Sequence, residues 1–188
     1  DNGMVCLACE RVRAVQIGKL QDGLVGIPVT NLKGPGIPDS APPANLDYDF
    51  WLVPAPKKPH YEKHVHDNFR FFWDYSGCQM TNWGAHNLDI AQWAMKMDGN
   101  GPVEIVPPEK SKDRGLRFVY ASGVVMIHNE FEKGKDGKQI QADCVFEGTE
   151  GTILVSRSGI SSLPDTILKE PLGEKAERVY PASNHFGN

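Results

Sequence analysis

Between residues 103 and 156 the chain breaks into five short apolar stretches, at 103–107, 116–120, 124–131, 140–147 and 152–156. Each has the length and composition of a strand. Ala121-Ser122-Gly123 joins the second to the third, and a turn over 148–151 joins the fourth to the fifth. Strands joined this tightly pair antiparallel, because a parallel neighbour needs a longer crossover. The first half supplies helices. Met4, Leu7, Ala8, Val12, Val15 and Ile17 recur at helical spacing over 4–17, with Gly18 as the expected C-cap. A strand is expected over 19–30 and a Pro- and Gly-rich loop over 31–45. One or two helical turns over 46–52 are stopped by Pro54, Pro56 and Pro59. The strongest helix covers 77–97, and the tail from 163 is less regular. This order predicts an α+β fold, an open and mostly antiparallel sheet with helices on one face. The other face then needs solvent or a partner.

The chemistry open to such a fold is narrowed by charge and by missing motifs. Twenty Lys and Arg stand against 24 Asp and Glu, a net charge of −4. That leaves no basic excess to neutralise phosphates and argues against a nucleic-acid partner. No apolar run approaches the roughly 18–20 residues of a membrane span. The sequence contains no Gly-x-Gly-x-x-Gly, no phosphate loop, no His-Glu-x-x-His and no Gly-x-Ser-x-Gly. At 188 residues it is short for an enzyme that must hold both a dinucleotide and a substrate. The opening Asp-Asn-Gly-Met has no signal-peptide character, and the compartment stays open between cytoplasm and bacterial periplasm. Cys6-x-x-Cys9 has no second pair to complete a zinc site, and reads as two small residues on one helix face.

A helical wheel drawn over 77–97 at about 100° per residue separates two faces. Met80, Trp83, Leu88, Ile90, Ala91, Ala94 and Met95 share the arc expected to face the sheet. Asn82, His86, Asp89 and Trp93 stand opposite, at i, i+4, i+7 and i+11. This stripe carries no Lys or Glu, only groups able to exchange hydrogen bonds or protons. An imidazole titrates near neutrality, so His86 is the candidate acid/base. Asn82 can donate to and accept from a bound hydroxyl, and Asp89 could fix a tautomer or touch substrate. A satisfied structural histidine is the competing reading. Just upstream, Arg70, Trp73, Asp74 and Tyr75 combine flat apolar faces with oriented polar groups, as a sugar or polyol pocket does. A buried aromatic cluster would look the same.

The run Asn68-Phe-Arg-Phe-Phe-Trp-Asp-Tyr-Ser-Gly-Cys-Gln-Met-Thr-Asn-Trp-Gly-Ala-His-Asn-Leu-Asp-Ile-Ala-Gln-Trp93 closely resembles the central motif of the Gfo/Idh/MocA oxidoreductases. Arg11-Val-Arg-Ala-Val-Gln-Ile-Gly-Lys-Leu20 is similar to the first helix and strand after that family's nucleotide domain. Leu46-Asp-Tyr-Asp-Phe-Trp-Leu-Val-Pro-Ala-Pro56 is similar to its Leu-Asp-Trp-Asp-x-Trp-Leu-Gly-Pro-Ala-Pro segment. Phe146-Glu-Gly-Thr-Glu-Gly151 resembles a shared turn between strands, and Val179-Tyr180 and Asn184-His185 resemble the run before its last helices.

The resemblance implies a two-domain enzyme. An N-terminal Rossmann domain would bind NAD or NADP, and an α+β C-terminal domain would contact a sugar or cyclitol substrate. Homo-oligomers would form through the open sheet face. Residues 1–188 are expected to be the substrate-binding and oligomerisation domain alone. The Rossmann domain, with the cofactor-binding residues and the catalytic Lys, and the closing helices are expected to lie outside the chain. On its own the chain should then not turn over. His86 falls on the family's acid/base histidine. Asn82 replaces the Asp of the family's Asp-x-Gly-x-His, and Asn cannot raise the basicity of His86 as a carboxylate would. Ala14-Val15 replaces the common Asn-Gly before the first strand. The expected reaction is reversible hydride transfer at a secondary alcohol.

Two rival readings stand beside it. One is a non-catalytic assembly or carbohydrate-binding module. The other is a metal-dependent hydrolase or lyase built on His60, His64 and His66. No single regular face can hold all three of these histidines, so no metal site is assigned.

Overall fold

The computed structural model describes residues 3–28, 40–108, 115–129, 142–174 and 176–179. They form two compact units. The larger holds residues 1–27 and 86–188, the smaller residues 28–85.

The larger unit is built on one seven-stranded sheet. Its strands are β1 (Leu20–Gly26), β2 (Glu104–Val106), β3 (Leu116–Val119), β4 (Val125–Asn129), β5 (Cys144–Gly148), β6 (Thr152–Ser156) and β7 (Gly159–Leu163). The spatial order is β2-β3-β4-β1-β5-β6-β7. Five of the six pairings are antiparallel, and β1 runs parallel to β4. The α+β class read from sequence holds. The single meander does not: β1 sits between β4 and β5 and divides it into two. A tight turn cannot make a parallel pair, so this junction lay outside what turn spacing could predict. The sequence pattern also does not predict the strand β7, just after the last expected strand, or the short helix α5 (Thr166–Lys169), in the tail expected to be less regular.

Register decides which residues meet the helices. Gly23 faces Phe146 and Met126, Val25 faces Cys144, and Cys144 faces Val155. Val25, Cys144, Phe146, Ile153 and Val155 are all buried on this face. Each large apolar side chain removed from water here contributes about 1.5–3 kcal/mol. Helix α1 (Gly3–Arg13) covers the β6–β7 end, and the helix over Trp83–Ala94 lies beside it. The Cys9 thiol reaches the Ile90 carbonyl at 3.9 Å between them.

Helix α1 stops four residues before its expected end, and Gly18 is not its cap. Val15 N–H bonds the Val12 carbonyl and Gln16 N–H bonds the Arg11 carbonyl, closing a Schellman turn. The left-handed position in that turn is Val15, with φ of 59°. Glycine is the ordinary residue there; a β-branched side chain is strained. Val15 is also 60% exposed, so its side chain gains little by packing. Val15→Gly is expected to raise stability by about 1 kcal/mol, strain relief exceeding the added chain entropy. In a chain this long that corresponds to about 2–4 °C in thermal unfolding. An unchanged or lower midpoint would argue against strain at Val15.

Gly18 serves a different contact. Its φ is 72°, and a Cβ on it would fall 2.3 Å from the Thr149 hydroxyl. Opposite, a Cβ on Gly148 would fall 2.1 Å from the Ile17 carbonyl. The two glycines let the segment before β1 lie against the β5–β6 turn, where Glu150 N–H bonds Ile17 and Thr149 N–H bonds Lys19.

The smaller unit is mostly irregular. Asp47 caps helix α2 (Tyr48–Leu52) by accepting from Phe50 N–H at 3.0 Å. Tyr48, Leu52 and Val65 form its core, with Leu46, Trp51 and Tyr75 packed on them. Rings extend this core: Trp51 stacks on Tyr48 and meets Tyr75 edge-on at 5.4 Å.

Candidate functional site

The helix expected over 77–97 is two helices, α3 (Cys78–Thr81) and α4 (Trp83–Ala94). Asn82 makes the break, with φ of −91° and ψ of −84°. Asparagine is a weak helix former because its amide bonds locally. Here Asn82 Nδ2 donates to Gln79 Oε1 at 3.3 Å. The stripe drawn through Asn82 therefore does not run on one continuous helix. His86, Asp89 and Trp93 keep helical spacing on α4. His86 and Asp89 belong to the larger unit, Asn82 to the smaller.

Within the larger unit, His86 and Asp89 are exposed, while Ile90, Ala91, Ala94 and Met95 are buried as the wheel required. Trp93 is half-buried, with the Arg13 guanidinium 5.7 Å from its ring centre. Arg13 Nε and Nη2 donate to the Trp93 carbonyl at 3.0 and 2.6 Å. That arrangement adds side-chain donors to a carbonyl that Lys96 N–H also reaches at 3.0 Å, and sets a cation at the negative pole of the helix. Arg13 is itself paired with Glu177 and Asp98.

The wheel missed Asn87. It is 1% exposed and stands in the buried stripe with Ile90, Ala91 and Ala94. Its position three and four residues before two core residues was the available signal: a polar residue on an apolar stripe. Its Nδ2 donates to the Gly26 carbonyl, at the end of β1, at 2.7 Å. The Cys144 thiol on β5 donates to the Asn87 carbonyl at 3.3 Å. Burial pushes the Cys9 thiol up to about 12 and holds that of Cys144 well above its ordinary value. Both are packing groups, not nucleophiles.

The smaller unit carries Arg70, Trp73, Asp74 and Tyr75. Arg70 is spent on its own turn. Its Nη1 donates to the Asp67 carbonyl at 2.8 Å and to the Asp67 carboxylate, and its guanidinium lies over Phe71. The hydrogen bond from Arg70 holds the Asp67 carboxyl below its usual range. Trp73 is 81% exposed. Asp74 pairs with Lys58 at 2.7 Å. Tyr75 lies edge-on to Trp51 and to His64.

A groove of about 630 Å³ opens in this unit, lined by Leu46, Tyr48, Asp49, Lys57, Lys58 and His60 among others. Arg70, Trp73, Asp74 and Tyr75 do not line it. Asp74 reaches its rim through Lys58, and Tyr75 touches Trp51, which stacks on the lining Tyr48.

His60 and His64 are buried among rings. His60 meets Tyr48 edge-on at 5.1 Å and shares a 3.0 Å hydrogen bond with Ser40. His64 lies against Tyr61, Phe72 and Tyr75. His66 is exposed. Among the described residues no three His, Cys, Asp or Glu side chains converge as a metal site. No described helix is long and apolar enough to cross a membrane.

The family model described as the oxidoreductase family, C-terminal alpha/beta domain, of the Gfo/Idh/MocA group, matches residues 33–178. The chain belongs to the Gfo/Idh/MocA oxidoreductase family. No curated protein matches it. The matched span takes in six of the seven strands and the α3–α4 region, so the family assignment covers His86 and all four aromatic-segment residues. For this Gfo/Idh/MocA domain, Val15 and Gly18 fall just before the matched span. His185 and the Asn184 beside it lie outside the described residues.

Proposed function

We propose that this domain is the substrate-binding half of an NAD(P)-dependent oxidoreductase acting on a secondary alcohol of a sugar or cyclitol. The observation that carries the reading is His86. It is exposed on α4, flanking the buried stripe, and its position resembles that of the family's acid/base histidine. In the oxidation direction the substrate's O–H bond breaks and its proton passes to a ring nitrogen of His86. The C–H bond at the same carbon breaks with its electron pair, and a carbonyl forms. Bound NAD or NADP supplies the hydride acceptor. The sequence has no glycine-rich phosphate-binding turn, so the reading assigns the grip on the cofactor to a nucleotide domain outside these residues.

Asn82 orients the reacting oxygen or its neighbour by hydrogen bonds, without adding charge. Trp73, with its exposed ring, and Asp74, with half its hydrogen-bonding capacity outside the Lys58 pair, contact the sugar. Arg70, held in its turn by Asp67, and Tyr75, set against Trp51 and His64, are the further substrate contacts on the smaller unit, and Asp89 is the one on the larger. Homo-oligomers form through the sheet face opposite α1 and α4, where Val119, Val125 and Leu154 are half-buried and Leu163 is exposed.

The test is a panel of aldoses, alditols and cyclitols offered with NAD or NADP to the intact protein and to the 188-residue chain. Reduced nicotinamide is expected from the intact protein with at least one polyol, and none from the chain alone. Turnover by the chain alone would overturn the half-enzyme reading. One observation favours a second reading, a non-catalytic assembly or carbohydrate-binding module: Asn82 stands where the family pattern has Asp. An intact protein that binds polyols but reduces no nicotinamide would decide for it.

A further inference from the structure

The buried face of α4 contains one residue that packing alone does not explain. Asn87 is 1% exposed, yet an asparagine is a poor helix former and a costly group to bury. A leucine would fill the stripe better. What the amide offers instead is direction. Its Nδ2 holds the terminal carbonyl of β1 at Gly26, 2.7 Å away, and its own backbone carbonyl takes the thiol of Cys144 on β5. One residue of α4 is thereby tied to two adjacent central strands.

We infer that Asn87 is a positioning residue, fixing the rotation of α4 about its axis and so the aim of the neighbouring His86. The inference rests on the proton-transfer role proposed above for His86. Apolar packing of Ile90, Ala91 and Ala94 sets the distance of the helix from the sheet, but hydrophobic contact is not directional and tolerates small rotations. A hydrogen bond weakens steeply when bent. A side-chain tip lies roughly 6 Å from a helix axis, so a turn of about 20° moves it by about 2 Å. Errors of about 1 Å in a reacting group can cost a hundredfold in rate. Asn87 and His86 are adjacent, so no intervening turn can absorb the rotation. Arg13 secures the far end of the same helix at Trp93.

Asn87→Leu removes the directional amide and keeps the branched heavy-atom shape of the side chain. Crystal structures of the intact protein and this variant are expected to differ by 1 Å or more, roughly, in the His86 ring, measured against β1 and β5. The second arm is a double-mutant cycle with the best polyol of the panel. Asn87→Leu is expected to lower kcat about 10–100-fold with unchanged KM for the nicotinamide, and to cost nothing further in a His86→Ala background. A merely structural role would lower activity equally in both backgrounds. An unmoved His86 ring, or equal losses, overturns the inference about Asn87. Full activity of His86→Ala overturns the acid/base reading instead, and the crystallographic arm still reports on Asn87. Should Asn87→Leu fail to fold, Asn87→Ala, which deletes only the amide, carries the same comparisons.

Discussion

Replacing His86 with alanine in the intact protein is expected to lower turnover by about 10²–10⁴-fold, the range that one positioned acid/base group supplies. The loss should fall on kcat. On the proposed reading His86 moves a proton and a nucleotide domain holds the cofactor. Stability should hold, because the ring is exposed and the buried stripe of Asn87, Ile90, Ala91 and Ala94 is untouched. Substitutions at such surface positions usually change stability by less than about 0.5 kcal/mol. Steady-state kinetics with the best polyol, beside thermal unfolding of both proteins, checks both halves. Turnover within about threefold of the parent would remove His86 from the chemistry.

Arg11→Ala is expected to destabilise the domain by about 3–5 kcal/mol. Arg11 is 6% exposed and has no carboxylate beside it among its hydrogen-bond partners. Its guanidinium donates to Gln16 Oε1 at 2.7 Å and to the carbonyls of Ile167, Leu168 and Glu170 at 2.5, 3.0 and 3.0 Å. Those carbonyls lie in and just after α5, a single turn whose own hydrogen bonds could not sustain it. The fork of Arg11 thus caps one helix end from inside another helix. Without it, three carbonyls lose a charged donor at once. Arg11→Lys should recover only part of the loss, since an ammonium cannot span the fork. Urea unfolding followed by far-UV circular dichroism measures both. A loss under about 1 kcal/mol for Arg11→Ala would show that water replaces the guanidinium without penalty.

Much of this was legible beforehand, and the reasons differ by element. The strands at 116–119, 125–129 and 152–156 announced themselves because Gly-containing turns bracket short apolar runs. The buried arc of α4 followed from helical spacing. The parallel β1–β4 pair did not, since nothing local to residues 20–26 names a partner a hundred residues away. The break at Asn82 escaped a wheel that assumes one continuous axis. At the site, exposed Trp73 and His86 are legible as residue types in a pattern. The Arg70–Asp67 turn and the Asp74–Lys58 pair depend on loop geometry that periodicity does not encode. His60 and His64 read as candidate ligands from spacing alone, and became members of a ring cluster once Tyr48, Tyr61 and Phe72 were placed around them. Asn87 is legible as the one polar residue on the inner face of the wheel, where the spacing of Ile90, Ala91 and Ala94 marks the apolar stripe.

The central place of β1 also sets an order of events. Strands β2, β3 and β4 can zip up from neighbours in sequence, and so can β5, β6 and β7. Neither trio touches the other in the finished sheet. They are joined only when β1, made first by the ribosome, slots between β4 and β5, bringing Leu24 opposite Ile127 on one side and Val145 on the other. Closing those long loops is the entropically demanding step, and it should limit the folding rate. Of these seven strands, the first to be synthesised is therefore the last to find its place.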